Sequence, residues 1–183
     1  MPLPRIVAFT GPIGAGKTTA ANCLRDTLQY EKVSFAKPLK DMLLAIGCTP
    51  ADVYGEDKEK PSILLCGKTP RYAMQTLGTE WGRDLIGKEL WVRVWQFECQ
   101  KHRLVTVDDA RFPNEFAMIK SLNGIIIKIV RPGFHLSMEH ESESHEPLYN
   151  RIVNNDNDER NFRRRLIHTL RIYEGSLSGT LPE

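Results

Sequence analysis

The sequence has no closely spaced cysteines: Cys23, Cys48, Cys66 and Cys99 are its only four, and each stands alone. That spacing excludes a zinc knuckle and a C-x-x-C redox dithiol, and free thiols of this kind suit a reducing cytoplasm. No apolar run approaches the length needed to cross a bilayer. Residues 1–11 carry a single arginine before running into a glycine-rich loop, so neither a membrane span nor an export signal is expected. Charge of either sign is scarce in excess: 25 Lys and Arg face 23 Asp and Glu, a net of +2. A protein that lives on DNA shows a basic surplus, so stable nucleic-acid binding is not expected and any cationic function must be local. What remains, 41% hydrophobic and 26% charged, is the composition of an ordinary folded chain. Its 183 residues suffice for one well-buried core but not for two full-sized domains, so a single domain over 1–183 with inserted loops is expected.

The apolar run Arg5–Thr10, ended by glycine, reads as a buried strand, and Lys17–Gln29 as a helix with Ala20, Ala21, Leu24 and Leu28 on one side. Val33–Ala36 reads as a second strand and Pro38–Ile46 as a short helix stopped by Gly47. Thr49-Pro50 and Thr69-Pro70 each place a capping hydroxyl before a proline at the first helical position; the second opens a helix running through Leu77 towards Trp81. Between them, the polar run Gly55–Pro61 is expected to be a mobile surface segment. Further on, Lys88–Gln100 fits a helix, Leu104–Asp108 a strand, Asn114–Leu122 a helix closed by Asn123-Gly124, and Ile125–Val130 a strand. A weaker strand at Arg151–Asn154 precedes a last helix from about Asp158 to Ser176, with Phe162, Leu166, Ile167 and Leu170 as its buried stripe. Alternation of this kind predicts an α/β fold, a parallel five-stranded sheet with helices on both faces.

Gly11-Pro12-Ile13-Gly14-Ala15-Gly16-Lys17-Thr18 fits G-x-x-x-x-G-K-[ST] and lies between a predicted strand and a predicted helix, where that pattern has meaning. Glycines let successive backbone N–H groups turn inward around an anion, and the helix N-terminus adds its partial positive charge. Gly11, Ile13, Gly14, Ala15, Gly16, Lys17, Thr18 and Thr19 are therefore candidate ATP-binding residues, with Lys17 reaching the β- and γ-phosphates and the Thr18 hydroxyl a ligand for Mg²⁺. The loop specifies a nucleotide, not an acceptor. Asn-Lys occurs nowhere, which removes the base-recognition motif of a switch GTPase, and a large motor ATPase needs more chain. A small kinase is the leading class.

Strand Leu104–Asp108 runs into Asp108-Asp109-Ala110-Arg111-Phe112-Pro113-Asn114-Glu115, which puts carboxylates and an arginine at the ligand-binding edge of a parallel sheet. A carboxylate there can hold Mg²⁺ or accept a proton, and Arg111 can balance charge on a transferring phosphoryl group. A helix start with a surface ion pair is the competing explanation. Arg71 and Gln75 share one helix face before Gly78-Thr79, able to grip a phosphate and the polar edge of a base; an ordinary solvated face is the alternative. Lys37 and Lys40 flank a proline just past the second predicted strand. Trp81, Trp91 and Trp95 read first as core. His135, His140 and His145 lie in an acidic stretch between Arg131 and Asn150, where solvated side chains compete with a metal site.

These motifs, with Phe35-Ala36-Lys37-Pro38-Leu39-Lys40, Leu90-Trp91-Val92 and His140-Glu141-Ser142-Glu143, resemble in order and spacing the bacteriophage deoxynucleoside monophosphate kinases. The resemblance implies an adenylate-kinase-like P-loop fold with a lid over 131–150 and an acceptor-binding helical region over 37–100. It implies transfer of the γ-phosphate of ATP to a 2′-deoxynucleoside 5′-monophosphate with Mg²⁺ present, in the cytoplasm of a host cell if the gene is a phage's. Carried over by position, Arg71, Gln75, Gly78, Thr79 and Trp91 fall on the acceptor-site pattern, and Asp109 and Arg111 on the aspartate and arginine of D-x-R-F-P-N-E. The expected mechanism surrounds the γ-phosphoryl group with Lys17, Thr18-bound Mg²⁺, Arg111 and Arg131, gives Asp109 a metal or proton role, and lets Arg71 and Lys37 hold the acceptor phosphate. Two features depart from the family: Thr18 stands where many members have aspartate, and the chain is shorter than the longer members. Two other readings are carried beside this one, a kinase acting on dephospho-coenzyme A or a modified DNA base, and an ATP switch that turns over without a small acceptor. A homodimer is left open, since nothing in the sequence fixes an interface.

Overall fold

A computed structural model describes residues 3–133, 148–156 and 158–173. The described residues form two compact units, one drawn from Met1–Ser34 and Cys99–Glu183 and the other from Phe35–Glu98.

The first unit is built on five parallel strands, β1 (Ile6–Thr10), β2 (Glu31–Lys32), β3 (Val105–Val107), β4 (Ile125–Val130) and β5 (Arg151–Asn154), in the order β2-β3-β1-β4-β5. A sheet paired wholly in parallel must be covered on both faces, which is why β1 and β4 read as unbroken apolar runs. One face carries Val7, Phe9, Ile125, Ile127 and Ile129, packed with Ala20, Ala21 and Leu24 of α1 (Lys17–Leu28) and with Phe162, Leu166 and Leu170 of the terminal helix Glu159–Tyr173. The opposite face takes helix Pro113–Ser121, whose Ile119 meets Ile6 beside Gly124. The registers Ala8↔Val107 and Thr10↔Lys128 seat β1 between β3 and β4, so the loop leaving β1 emerges at the centre of the carboxyl edge.

The second unit contains α2 (Lys37–Ala45), α3 (Pro50–Tyr54), a one-turn 3₁₀ helix (Glu56–Glu59), α4 (Pro70–Thr76), a π-helix (Leu77–Ile86) and most of α5 (Leu90–Gln100). The two helices of the first unit that follow are then α6 (Pro113–Ser121) and α7 (Glu159–Tyr173). Its core joins Leu43, Cys48 and Val53 to Leu65, Ala73, Met74 and Leu77, while Phe35 stacks on Trp95 at 4.6 Å between centroids. Thr49 caps α3 through a reciprocal box with Asp52, and Thr69 caps α4 by accepting from the Tyr72 N–H, as their Thr-Pro pairs predict.

Two expectations change. The second strand is Glu31–Lys32 rather than Val33–Ala36: Val33 still donates to the Thr106 carbonyl, but β3 ends at Val107, and the chain then turns Phe35 into the Trp95 stack. The apolar run marks burial and not strand. Gly55–Pro61, expected to be a mobile surface segment, lies at the surface and carries the 3₁₀ turn, closed by the Lys60 N–H on the Asp57 carbonyl. The helix opened by Thr69 widens at Leu77 into ten residues of π-helix, which periodicity alone does not reveal. The lid expected over 131–150 lies outside the described residues except at its ends, and with it His135, His140, His145 and Glu141. Among the described residues no helix is long and apolar enough to cross a membrane.

Candidate nucleotide site

The loop between β1 and α1 is shaped by what its carbonyls bind. Lys17 Nζ donates to the Gly11 carbonyl at 2.6 Å and the Pro12 carbonyl at 2.9 Å. Arg131 Nη1 donates to the Gly14 carbonyl at 2.9 Å, and Asn155 Nδ2 to the Ala15 carbonyl at 2.8 Å. With the Gly11, Pro12, Gly14 and Ala15 carbonyls engaged by side chains, a loop of this composition can turn backbone N–H groups towards an anion. Two glycines are required sterically. A Cβ at Gly11, whose φ is +135°, would sit 2.4 Å from the Ile129 carbonyl oxygen, and one at Gly16, with φ +108°, would sit 2.5 Å from Asn155 Nδ2. Gly16 is also the N-cap of α1, with no side-chain cap and no acidic residue in the first turn, so the positive end of a twelve-residue helix faces the loop. Ile13, Gly14 and Thr18 are exposed, Thr19 is half-buried and Ala15 is buried.

The same sheet edge carries the second acidic cluster, because register Ala8↔Val107 brings the end of β3 beside the end of β1. Asp108 is buried and accepts from Lys32 Nζ at 2.7 Å. Asp109 is half-buried and its Oδ2 accepts from the Ser34 hydroxyl. Arg111 is exposed, but its backbone is fixed: Glu115 Oε2 accepts from the Arg111 N–H at 2.7 Å and the Phe112 N–H at 3.1 Å. Glu115 is 2% exposed and caps α6 while pinning the turn that carries Arg111. The sequence reading gave no role to Lys32, Ser34 or Asn155, and quoted Glu115 in the acidic cluster without one; Lys32 precedes the second predicted strand, Ser34 lies within it and Asn155 follows the last one, which was the only signal of those three. As donors for a cation, the Thr18 hydroxyl and the Asp109 carboxylate are hard oxygen ligands of the kind Mg²⁺ takes.

In the second unit, Arg71, Gln75 and Thr79 are all exposed at four-residue spacing along α4 and into the π-helix. The Arg71 Nε is engaged with the Glu59 carboxylate. Lys37 donates to Asp41 at 2.5 Å, and that hydrogen bond holds its ammonium above the ordinary lysine range. Trp91 is buried, as its reading as core has it: it is 4% exposed and its Nε1 donates to the Gly78 carbonyl at 2.7 Å, which also receives Arg83 Nη1 at 3.1 Å. The indole lies against Gly82, where a Cβ would come within 2.4 Å of it. Trp81, read as core, is instead 39% exposed, tilted against Trp91 at 6.0 Å between centroids. Burial pushes the Cys23 and Cys48 thiols up, leaving both protonated at neutral pH, and Cys66 is exposed.

No family model matches the chain. It is similar to a protein of Acanthamoeba polyphaga mimivirus described as a deoxynucleotide monophosphate kinase, 36% identical over 155 residues that cover 75% of this chain and 80% of that one. It is also similar to the deoxynucleoside-5′-monophosphate kinase of Escherichia phage T5, 28% identical over 107 residues that cover 54% of this chain and 42% of the phage protein. Among solved structures, the shikimate kinases of Bacteroides thetaiotaomicron (TM-score 0.53, 14% identity, 91% of this chain and 98% of that one) and Aquifex aeolicus (0.51, 12%, 95% and 99%) share its fold.

Proposed function

Because this chain belongs to the deoxynucleotide monophosphate kinases, we propose that it transfers the γ-phosphate of ATP to a 2′-deoxynucleoside 5′-monophosphate, releasing ADP and the diphosphate. The observation that carries the nucleotide half is the loop itself, with its carbonyls engaged by Lys17, Arg131 and Asn155 at the N-terminus of α1. Kinship with the mimivirus protein carries the acceptor half.

In the reaction an oxygen of the acceptor phosphate bonds to the γ-phosphorus as the bond from that phosphorus to the β,γ-bridging oxygen breaks, leaving ADP. The protein's task is alignment and neutralisation of charge, since little covalent help is needed. Lys17 exchanges the Gly11 and Pro12 carbonyls for phosphate oxygens, moving its charge onto the β- and γ-groups. Arg131, on the Gly14 carbonyl, and Arg111, at the carboxyl edge, supply further positive charge where the transferring group sits. Thr18 and Asp109 would hold Mg²⁺, which supplies Lewis-acid neutralisation of the phosphate oxygens when bound. Ser34 fixes the Asp109 carboxylate. Arg71, Gln75 and Thr79 take the acceptor, with Arg71 releasing Glu59 for the acceptor phosphate and Lys37 adding a second positive charge to it. Trp91, given its burial, serves this face by bracing Gly78 rather than by stacking on a base.

The test is ADP formation from ATP and Mg²⁺ with dAMP, dGMP, dCMP and dTMP offered separately, beside a no-acceptor control and Lys17→Ala. Turnover that needs a deoxynucleotide and falls on the order of a hundredfold or more in Lys17→Ala is expected. Turnover indifferent to all four would refute the acceptor assignment.

A further inference from the structure

Asn155 belongs to none of the motifs that the nucleotide reading uses, yet its side chain is applied directly to the phosphate loop. It follows β5 directly and is 9% exposed. Its backbone N–H donates to the Val130 carbonyl at 2.8 Å, fastening it to the end of β4. Its side chain then reaches the Ala15 carbonyl at 2.8 Å, and only the NH₂ side of an amide can face a carbonyl oxygen, so the orientation of the group is fixed by chemistry.

The consequence lies in the peptide that follows. The Ala15–Gly16 peptide is planar and trans, so its N–H points opposite to its C=O. With the Ala15 carbonyl drawn to Asn155, the Gly16 N–H is turned away from Asn155, toward the hollow of the loop. The close fit reinforces this: the place of a Gly16 Cβ is taken up by Asn155 Nδ2 at 2.5 Å, so glycine at 16 and the amide at 155 form one joint. Gly16 is the N-cap of α1, and its N–H stands among the donors that a phosphate at the helix N-terminus meets.

We propose that Asn155 is a positioning residue for the donor nucleotide: it holds the Ala15–Gly16 peptide in the orientation that aims the Gly16 N–H at the phosphates of ATP. This rests on reading the loop as the ATP-phosphate site. Asn155 touches no phosphate itself and acts through the backbone it grips.

The test measures binding apart from turnover. ATP and dNMP affinities are determined calorimetrically for the wild-type chain, Asn155→Ala and Asn155→Asp, with urea midpoints recorded alongside. Asn155→Ala removes the donor without adding charge, and Asn155→Asp keeps the volume while setting an acceptor against the Ala15 carbonyl. The expected result is ATP binding weakened about tenfold in Asn155→Ala and further in Asn155→Asp, with dNMP affinity within twofold of wild type in both. Unchanged ATP affinity in Asn155→Ala overturns the proposal even if Asn155→Asp is weakened, since charge repulsion alone then accounts for the latter. Equal weakening for ATP and dNMP also overturns it, because a merely structural role predicts that pattern. Should Asn155→Asp fail to fold, the Asn155→Ala comparison decides alone. Lys17→Ala separates the two readings: ATP affinity unaffected by it refutes the loop as phosphate site, whereas ATP affinity that depends on Lys17 but not on Asn155 refutes this proposal alone.

Discussion

Replacing a glycine inside a helix by alanine ordinarily stabilises a protein, by up to about 1 kcal/mol, because the unfolded chain loses freedom and the helix gains a better former. At Gly82, in the π-helix, the opposite is expected. A Cβ there would lie 2.4 to 2.5 Å from Nε1, Cε2 and Cζ2 of Trp91, three atoms of a rigid ring that is itself buried. No flexible side-chain tip can yield, so the indole must shift, at an overpacking cost of about 1–3 kcal/mol. A shifted indole also stretches its hydrogen bond to the Gly78 carbonyl, and a buried N–H left unpaired adds roughly 1–3 kcal/mol. Against the ordinary gain, Gly82→Ala should destabilise by about 1–5 kcal/mol. The assay is urea unfolding followed by tryptophan emission, which is selective here because Trp81, Trp91 and Trp95 all belong to the Phe35–Glu98 unit. A double variant with Trp91→Leu should show favourable coupling of about 1–3 kcal/mol, since each change relieves the other. A Gly82→Ala midpoint equal to or above wild type would refute the steric argument outright.

Two other perturbations probe different supports. Glu115→Ala leaves the Arg111 and Phe112 N–H groups without their acceptor and should destabilise the chain by about 2–4 kcal/mol; it should lower kcat more than the ATP affinity, read by steady-state kinetics beside calorimetry, and kinetics matching wild type would remove Glu115 from the support of Arg111. The Thr49 backbone and hydroxyl donate to the Asp52 carboxylate, and Arg165 to that of Asp156, so both carboxyls sit below their ordinary value of 3.8. A depressed folded-state value means that the unfolded chain takes up the proton first, so the stabilisation is fully present above the unfolded-chain value and is lost as pH falls through the folded one. The urea midpoint should therefore fall with acid below about pH 4, and fall slightly less steeply in Thr49→Ala, which removes the hydroxyl and keeps the backbone donor; equal slopes would show that the hydroxyl does not contribute to the Asp52 titration.

Much of both units was legible because their elements announce themselves locally. Ile125–Val130 and Arg151–Asn154 match their predicted bounds, and the Thr-Pro pairs state where α3 and α4 begin. The phosphate loop was legible for the same reason, being eight consecutive residues whose chemistry is one unit. What stayed hidden depends on partners remote in the chain. Val33–Ala36 has the composition of a strand, but how far a strand extends is set by its neighbour, and β3 is only three residues long. The amide of Asn155 finds Ala15 across 140 positions, and Ser34 finds Asp109 across 75, with nothing local to mark either. Trp81 was read as core because tryptophan composition marks burial, but it lies on the π-helix, which no propensity encodes, and is 39% exposed, whereas Trp91, on α5, is buried as its composition indicated.

The sheet order carries a consequence for how the chain is made. β1 holds the central place, but its two neighbours, β3 and β4, are encoded roughly a hundred residues further on, which at ribosomal speeds is on the order of 5–20 seconds. Through that interval Ile6–Phe9 has no strand to pair with, while Phe35–Glu98, an uninterrupted stretch with a core of its own, can collapse as it emerges. The nascent protein thus carries an apolar strand in search of its edges past a folded neighbour. Slowing synthesis between Cys99 and Val130 prolongs that exposure and should raise the fraction lost to aggregation, whereas slowing it after Asn154, when every strand of the sheet is present, should not.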